Sequence, residues 1–470
     1  MIQYDGLRRK QVVCKTGEIK RLGKLGIAVI GSGIAGLSAA WLLSQRHKVT
    51  LIESEPRPGG HANTVDVAVK GRGPVAVDTG FIVSNTWTYP NFSALVDYLG
   101  VEMVDVPMTF SVSADEGRYE YSGNNLGTLC GKPRMWLSPR HWHMMTDLWH
   151  FYRTAERAAA AVSPHLTLGQ YLANGGYGEA FIRRHILPMA GAIWSATPDQ
   201  IGAFPFRTFV DFFSNHQLFV LGNRPDWRSV KDGSRSYVEK LVADSRFSVR
   251  LASPVARVFR KQDGVDVHFA NGGSENFDHV VIATHADQAL RLLGNPTSDE
   301  TAVLSHFKTS LNRVVLHRDP AHMPGSRRFW SGWNYRAAGG GGENPLAVTY
   351  WMNALQKLDS PGDHFISLNP HVEPEPATVD GTWYYRHPVF NAATLGAQRE
   401  LWNLQGVRRT WFAGAWFGAG FHEDGIQAGL AVAEQLGGAS RPWTVANESG
   451  RIHVREPLPP VTTTFADAAE

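Results

Sequence analysis

The sequence predicts an α/β fold in which a parallel-sheet domain is interleaved with a second, discontinuous α+β domain. Two observations predict this fold: a strand–turn–helix–strand unit near the start of the chain, and short β-branched runs that recur in three separated blocks. The 470 residues can bury a large core and divide into two domains. A hydrophobic content of 43% and a charged content of 19% are typical of globular proteins, so we expect disorder only near the ends.

The first block carries a glycine fingerprint between an apolar strand and an alanine-rich helix. Gly31 permits the tight turn, Gly33 lets the backbone approach a pyrophosphate, and Gly36 lets the helix pack closely on the strand. The helix N-terminus offers N–H groups and the positive end of its dipole to the phosphates. The next strand ends in an acid, where a carboxylate accepts ribose hydroxyls. The unit therefore predicts a Rossmann-type dinucleotide-binding domain, with the binding residues Gly31, Ser32, Gly33, Ile34, Ala35, Gly36 and Glu53.

The run that follows Glu53 indicates which dinucleotide is bound. From Ser54 to Thr64 the chain resembles the FAD-binding amine-oxidase superfamily, which includes monoamine and polyamine oxidases, protoporphyrinogen oxidase and phytoene desaturases. In that family an Arg-x-Gly-Gly run wraps the cofactor phosphates. Similar motifs continue to about residue 436, so the resemblance implies a glutathione-reductase-like FAD domain. It adds the cofactor-binding residues Ser54, Arg57, Gly59, Gly60, His61, Thr64, Thr79, Gly80, Phe81, Val255, Ala283, Thr284, Gly414, Asp424, Gly425 and Ile426.

The positions of these motifs also predict the domain boundaries. The FAD-binding domain is expected to comprise residues 25–85, 230–295 and 405–437, and the substrate domain residues 86–229 and 300–400. We expect the first insert to be helix-rich and the second to be β-rich, with strands around Arg313–His317 and Leu346–Met352. The remaining expectations are an N-terminal extension at 1–24, a flexible loop at Gly339–Gly342, and a C-terminal extension at 438–470 with a poorly ordered tail from Pro457.

The C-terminal block is expected to meet the flavin. In the resembling family, a helix that begins here points its N-terminus at the flavin N1–C2=O edge, which places Gly425 and Ile426 at that contact. Many members bind the ribityl chain with an acid next to the position of Gly414, whereas this chain has Ala415 and Trp416. Asp424 is the candidate substitute. An N-cap of the same helix is an equally good role for it.

Three residues are candidates for catalysis. His61 stands where the family usually has arginine, and it is either a proton donor or a hydrogen-bonded histidine without a role in proton transfer. His422 and Glu423 lie near the family's flavin-facing aromatic position, and the same two roles are open for them. We expect one of them to act as the base in a C–H oxidation in which the substrate loses hydride to flavin N5.

The substrate is predicted to be apolar. Monoamine-type oxidases carry a lysine where this chain has Arg291, and the substrate segments lack an acidic cluster that would anchor a polyamine. Amine oxidation is therefore the second hypothesis, and a flavin-binding protein that holds lipid without turnover is the third. The runs Trp333–Tyr335, Tyr350–Asn353, Ser367–Pro370, Tyr385–Pro388 and Gly420–Gly425 resemble those of bacterial FAD-binding oxidoreductases linked with modification of membrane fatty acyl chains.

Composition limits the partners. A net charge of +3 without a dense basic stripe argues against nucleic acid. Cys14 and Cys130 suggest reduced thiols, and the polar N-terminus lacks a secretory signal, so we expect a cytoplasmic protein. The uncharged run between Lys24 and Arg46 contains the fingerprint, which favours a buried βα unit over a membrane span.

A second nucleotide fingerprint is missing, so oxygen or a quinone-like molecule is the expected electron acceptor. No metal site is predicted.

A helix is predicted from Arg140 to Val162, with a stripe formed by Trp142, Met145, Trp149 and Tyr152. Basic residues flank this stripe. A core-facing helix of the substrate domain is the commoner explanation of such a pattern. The alternative is a helix that rests on the inner face of a membrane, since aromatic and basic side chains suit that interface.

Overall fold

The structure is a computed structural model that describes residues 23–163, 165–194, 196–219, 226–337 and 347–455. The expected loop at 339–342, the tail from Pro457, Cys14 and most of the N-terminal extension lie outside these residues. Cys130 is a half-buried free thiol.

Strands and helices are mixed along the chain, and helices alone occupy the described residues from Leu126 to Asn215. The strands are β1 Gly26–Ile30, β2 Lys48–Ile52, β3 Thr64–Val67, β4 Val75–Asp78, β5 Val83–Asn85, β6 Met103–Val106, β7 Phe110–Ala114, β8 Tyr119–Ser122, β9 Trp227–Val230, β10 Ser248–Arg250, β11 Val255–Arg260, β12 Val265–Phe269, β13 Ser274–Phe277, β14 His279–Ile282, β15 Lys308–His317, β16 Trp333–Arg336, β17 Val348–Trp351, β18 Phe365–Leu368, β19 Val379–Val389 and β20 Thr410–Phe412. The α-helices are α1 Ile34–Ser44, α2 Pro90–Tyr98, α3 Leu126–Leu129, α4 Pro139–Ala161, α5 Leu168–Asn174, α6 Glu179–Phe181, α7 Leu187–Trp194, α8 Pro198–Gly202, α9 Phe206–Asn215, α10 Arg235–Asp244, α11 Ala286–Leu292, α12 Ser298–Leu304, α13 Met352–Leu355, α14 Ala392–Gln398 and α15 His422–Gln435.

A parallel sheet in the order β10-β2-β1-β14-β20 forms the centre of the molecule. In its middle, Val29 pairs with Leu51 on one side and with Val281 on the other. Strands of parallel sheets are buried on both faces, which explains why β1 and β14 are continuous apolar runs. Helix α1 contacts both this sheet and α15. All of these strands fall within the three blocks in which the flavin motifs occur.

A larger mixed sheet in the order β19-β15-β18-β17-β16-β7-β8 stands beside the central sheet. The long strands β15 and β19 run antiparallel, from Lys308 opposite Val389 to His317 opposite Val379. The strand expected at Arg313–His317 lies within β15, whereas β17 covers only Val348–Trp351 of the run expected at Leu346–Met352, because Met352 begins α13. Strands β7 and β8 come from the first insert, so this segment is not purely helical: β7 pairs in parallel with β16 and extends the sheet.

An aromatic core fills the space between the helices of the first insert. Phe151, Phe181 and Phe206 are fully buried, and the rings of Phe209 and Phe213 stack at 4.1 Å. Rings of this size contribute most of the buried apolar area of such a core. Most phenylalanines of this region therefore pack a core.

Helix α4 spans the predicted range but does not present its aromatic residues to one environment. Phe151 and Tyr152 are buried, whereas Trp142 and Trp149 are exposed. The predicted stripe is therefore divided between a core-facing side and a solvent-facing side. Among the described residues, no helix is both long and apolar enough to cross a membrane.

Candidate functional site

The central sheet opens into a cavity of about 750 Å³ at the carboxyl ends of β1, β2 and β14. Ligands bind at such strand ends in open α/β sheets. The segment before α15 and residues 386–390 close the cavity on its other sides. The predicted residues that line it are Gly31, Ser32, Gly33, Ile34, Ala35, Glu53, Ser54, Gly59, Gly60, His61, Gly80, Phe81, Val255, Ala283, Thr284, Gly414 and His422.

The N-terminus of α1 forms an open cradle in this cavity. Gly33 is its N-cap residue, and α1 has neither a capping side chain nor an acid in its first turn. A Cβ built on Gly33 meets no atom within 4 Å. By contrast, a Cβ on Gly36 would lie 1.8 Å from the carbonyl oxygen of Gly31. The helix end is therefore free to bind a phosphate group, and the space that a side chain would fill at Gly33 is open to it.

Glu53 lies at the edge of the cradle, directly after β2. Its Oε2 accepts hydrogen bonds from the N–H group and the hydroxyl of Ser32, at 2.8 and 2.6 Å. Its Oε1 accepts from the N–H group of Glu55 at 3.0 Å. Together with a hydrogen bond from the Ser54 hydroxyl to Oε1 at 3.0 Å, these bonds hold the carboxylate beside the fingerprint turn.

The Arg-x-Gly-Gly run closes one side of the cradle. Gly60 has φ +58°, and a Cβ on it would lie 3.0 Å from the Cα of Gly33. Arg57 does not line the cavity: its guanidinium donates to the carbonyl oxygens of Gly60 and Ala62, at 2.9 and 3.2 Å. Arginine therefore fixes the shape of the glycine loop that faces the cradle.

Several predicted residues lie behind the cavity wall instead of in it; they are Gly36, Arg57, Thr64, Thr79, Glu423, Asp424, Gly425 and Ile426. Thr64 donates to the buried carboxylate of Asp78 at 2.6 Å. The Thr79 hydroxyl is hydrogen-bonded to the Tyr385 hydroxyl at 2.6 Å. A Cβ on Gly425 would lie 2.8 Å from a methyl group of Ile34, so glycine here lets α15 approach α1 closely. These residues lie behind the cavity wall and hold the segments that form it in place.

Asp424 shows the arrangement of an N-terminal cap. Its Oδ2 accepts from the N–H group of Phe421 at 2.8 Å, and its Oδ1 accepts from Arg451 Nε at 2.7 Å. The side chain is completely buried, and burial raises the pKa of this carboxyl while Arg451 lowers it. The N-cap residue of α15 is Phe421, and Asp424 closes the first turn as the third residue of the helix.

Glu423 is also directed away from the cavity. Its carboxylate accepts from the N–H groups of Asn91 and Phe92, at 3.1 and 3.0 Å, and from the side-chain amides of Asn91 and Gln427. It thereby stabilises the N-terminus of α2, where a negative charge is favourable. With both oxygens engaged and no part in the cavity lining, Glu423 is poorly placed to take a proton from a substrate.

His422 and His61 do face the cavity. The His422 ring stacks on Phe81 at 3.8 Å, and its Nε2 is hydrogen-bonded to the Tyr237 hydroxyl at 2.8 Å. Burial lowers the pKa of His422 to about 3. Burial also lowers the pKa of His61 well below its usual value, assisted by three neighbouring histidines. Both rings are therefore neutral near pH 7.

Two of these neighbours, His285 and His387, had no predicted role. Their ring centroids lie 6.0 and 5.7 Å from that of His61, and both line the cavity. Within the described part of the chain, no group of three or more potential ligands has the arrangement of a metal site. The run Tyr385–Pro388 was a sequence signal for His387, whereas His285 is brought in by the turn after β14.

The indole of Trp416 occupies the position beside Gly414. Its Nε1 donates to the carbonyl oxygen of Thr284 at 3.0 Å, and a Cβ on Gly414 would lie 2.2 Å from that nitrogen. Arg291 lines the cavity but is 60% exposed and pairs with Asp287 at 3.0 Å on the same helix.

A parallel sheet with an open glycine cradle and a carboxylate after the second strand is the arrangement of a dinucleotide-binding domain. A family model described as flavin containing amine oxidoreductase matches residues 34–437. The chain belongs to this family: it is a flavin-dependent oxidoreductase, and its cofactor is FAD.

Three solved structures share the fold at low sequence identity. A putative protoporphyrinogen oxidase from Exiguobacterium sp. 255-15 is 15% identical, with a TM-score of 0.63, and covers 88% of this chain and 99% of its own. The CLA-producing fatty acid isomerase from P. acnes is 17% identical, with a TM-score of 0.60. The match covers 86% of this chain and 96% of the isomerase chain. Cyclohexylamine oxidase from Brevibacterium oxydans IH-35A is 18% identical, with a TM-score of 0.60 and coverages of 88% and 99%.

Proposed function

We propose that the protein oxidises or desaturates a C–H position of an apolar, fatty-acyl-like substrate. The observation that carries this proposal is the chemistry of the cavity wall. Its apolar wall consists of Ile193, Trp194, Pro388, Phe390 and Phe421. Bound FAD supplies the two-electron acceptor for such an oxidation.

The charges around the cavity argue against a cationic amine as substrate. Among the described residues that line it, Glu53 is the sole carboxylate, and it is engaged by Ser32 and Glu55. Arg257, Arg291 and Arg386 also line the cavity. An ammonium group would meet no free anionic partner here, whereas a neutral or anionic acyl group would not be repelled.

The indole of Trp194 offers one polar contact within the apolar wall. The side chain is 9% exposed, and its Nε1 has no hydrogen-bond acceptor among the described residues. A buried N–H group without a hydrogen-bond acceptor destabilises the protein, and an acceptor atom of a bound substrate can remove this penalty. A carbonyl or carboxyl oxygen on an otherwise apolar substrate meets this requirement.

Two histidines that line the cavity, His61 and His422, are neutral near pH 7. His61 and His422 are therefore suited to donating or accepting single hydrogen bonds, and their low basicity argues against a general base at neutral pH. We assign them to positioning of the reacting group, with His422 held in place by Tyr237 and Phe81.

Anaerobic mixing tests the substrate class. The FAD-loaded protein is mixed with oleic acid, linoleic acid, benzylamine or putrescine, and the oxidised flavin band is followed. We expect bleaching by a fatty acid and none by the amines. Rapid bleaching by an amine would replace this proposal with amine oxidation, and tight binding of fatty acid without bleaching would favour a lipid-holding protein.

A variant separates the indole N–H group from the shape of the wall. Trp194→Phe keeps an aromatic ring but removes the donor, so we expect fatty-acid binding to weaken by roughly three- to tenfold, as for one hydrogen bond. Flavin content should not change, because the cradle is untouched. Trp416→Phe is the matched control, since its indole N–H group already donates to Thr284.

A further inference from the structure

Exposed apolar side chains are concentrated in one short segment of the first insert. Large apolar residues are normally exposed singly, and contiguous groups mark interaction sites. Here five of them lie between residues 126 and 149, with these exposed fractions: Leu126 81%, Trp136 54%, Leu137 88%, Trp142 48% and Trp149 55%.

Four of these side chains form one continuous surface, which we call the tryptophan surface: Trp136, Leu137, Trp142 and Trp149. The helical turn Pro133–Leu137 runs directly into α4, and Trp142 Nε1 donates to the carbonyl oxygen of Trp136 at 2.8 Å. Trp142 and Trp149 are seven residues apart, so they lie on the same side of α4. The opposite side of α4 is buried in the aromatic core.

A cationic groove of about 490 Å³ adjoins this surface. Arg118, Lys132, Arg134 and Arg328 line it, and Arg134 belongs to the same helical turn as Trp136. Two nearby carboxylates are paired: Glu120 is buried against Lys132 at 2.9 Å, and Asp115 pairs with Arg184 at 3.0 Å, whereas Glu116 is exposed beside the groove.

Further cations lie within the segment that carries the tryptophans. Between residues 126 and 153 the sequence has four lysine or arginine residues and one aspartate. Arg153 lies over the ring of Trp149 at 5.0 Å, and Arg140 is exposed at the start of α4. Arg153 therefore lies beside the indoles, whereas Arg140 lies about 200° around α4 from Trp142.

We propose that the tryptophan surface and the cationic groove dock the protein onto a bilayer that contains anionic lipid. Indole rings and leucine enter the boundary between headgroups and acyl chains, while arginine and lysine meet the lipid phosphates. This attachment is independent of the proposed reaction, because the residues lie outside the cavity.

A second copy of the chain fits this surface less well. A two-fold dimer would place the same patch of both copies face to face, and with it two cationic grooves. Like charges that meet across an interface disfavour it. A membrane with anionic headgroups supplies the complementary charge.

Flotation of the FAD-loaded protein with lipid vesicles tests the proposal. One set of vesicles contains phosphatidylcholine alone, and the other contains equal parts of phosphatidylcholine and phosphatidylglycerol. We expect binding to the anionic vesicles, a shift of tryptophan emission to shorter wavelength, and loss of binding at high salt. Failure to bind the anionic vesicles would overturn the proposal.

Three variants distinguish the contributions. Leu137→Ser with Trp149→Ser should lower the partition coefficient by roughly tenfold or more, since two exposed apolar groups are lost. Arg134→Gln with Arg153→Gln should lower the partition coefficient by about fivefold for each cation, on anionic vesicles only. Trp87→Ser removes an indole that is 67% exposed outside the segment and should bind like the natural protein.

Flavin content and melting temperature confirm that each variant is folded. Equal binding by the serine variant and the natural protein would refute the role of the tryptophan surface. Light scattering identifies the competing occupant: a dimer that dissociates in the serine variant would assign this surface to a second copy of the chain instead.

Discussion

Gly33→Val separates cofactor binding from folding more sharply than any other single change in the cradle. Gly33 has φ −64° and ψ 175°, which valine adopts without strain, and its Cβ would meet no atom within 4 Å. The folded protein without FAD should therefore retain its stability to within about 0.5 kcal/mol, as for an ordinary surface substitution.

The same side chain would occupy the space in which the cofactor phosphates approach the N–H groups of Ile34 and Ala35. Loss of two charge-assisted hydrogen bonds, each contributing about 1.5–3 kcal/mol, weakens FAD binding by roughly two to four orders of magnitude. The flavin absorbance of the purified protein measures the loss, and thermal melting with and without added FAD measures the missing ligand stabilisation.

Gly73→Val is the matched control, because its Cβ also meets no atom within 4 Å and Gly73 does not line the cavity. It should leave flavin content unchanged. A Gly33→Val protein that is purified with a full complement of FAD would refute the assignment of the cradle.

Three further predictions concern buried ionisable side chains. Glu423→Ala leaves the backbone N–H groups of Asn91 and Phe92 without an acceptor, so we expect the protein to lose about 2–4 kcal/mol of stability with FAD still bound. A variant that is stable but shows slow flavin reduction would instead indicate a catalytic role. Arg451→Met leaves Asp424 buried without its cation and should cost roughly 3–5 kcal/mol in urea unfolding, part of which the additional change Asp424→Asn should restore. Burial lowers the pKa of His216 to about 3, so below about pH 6.5 the unfolded chain binds a proton that the folded chain does not, and the stability decreases as the pH is lowered. His216→Phe should reduce this decrease by about 1 kcal/mol per pH unit between pH 7 and 5, and equal slopes would contradict the assignment.

Local sequence signals were sufficient to predict the nucleotide-binding half of the molecule. The close packing of Gly36 on Gly31 depends on neighbours within a few residues, whereas the turn at Gly31 also packs on Ala283 after β14. The three blocks supply every strand of the central sheet. FAD and the flavin-dependent oxidoreductase class, which the sequence predicted by resemblance, are confirmed by the family match. The apolar substrate stays a prediction.

The directions of the side chains at the start of α15 could not be predicted from the sequence. His422, Glu423 and Asp424 are consecutive, yet one lines the cavity, one stabilises α2 and one caps its own helix. Successive residues on a helix point in directions about 100° apart, so their roles depend on what packs on each side. Those partners come from α2 and from Arg451, which are distant in sequence.

The sequence by itself determined the family, the cofactor and the cradle, because each rests on short motifs whose backbone geometry is local. Only the tertiary structure decided that His285, His387 and Trp194 share the cavity with His61, since they come from three separate segments. It likewise divided the aromatic residues of α4 between a core and an exposed surface. Periodicity marks which residues share a side of a helix, but burial is decided by the elements that pack against that side.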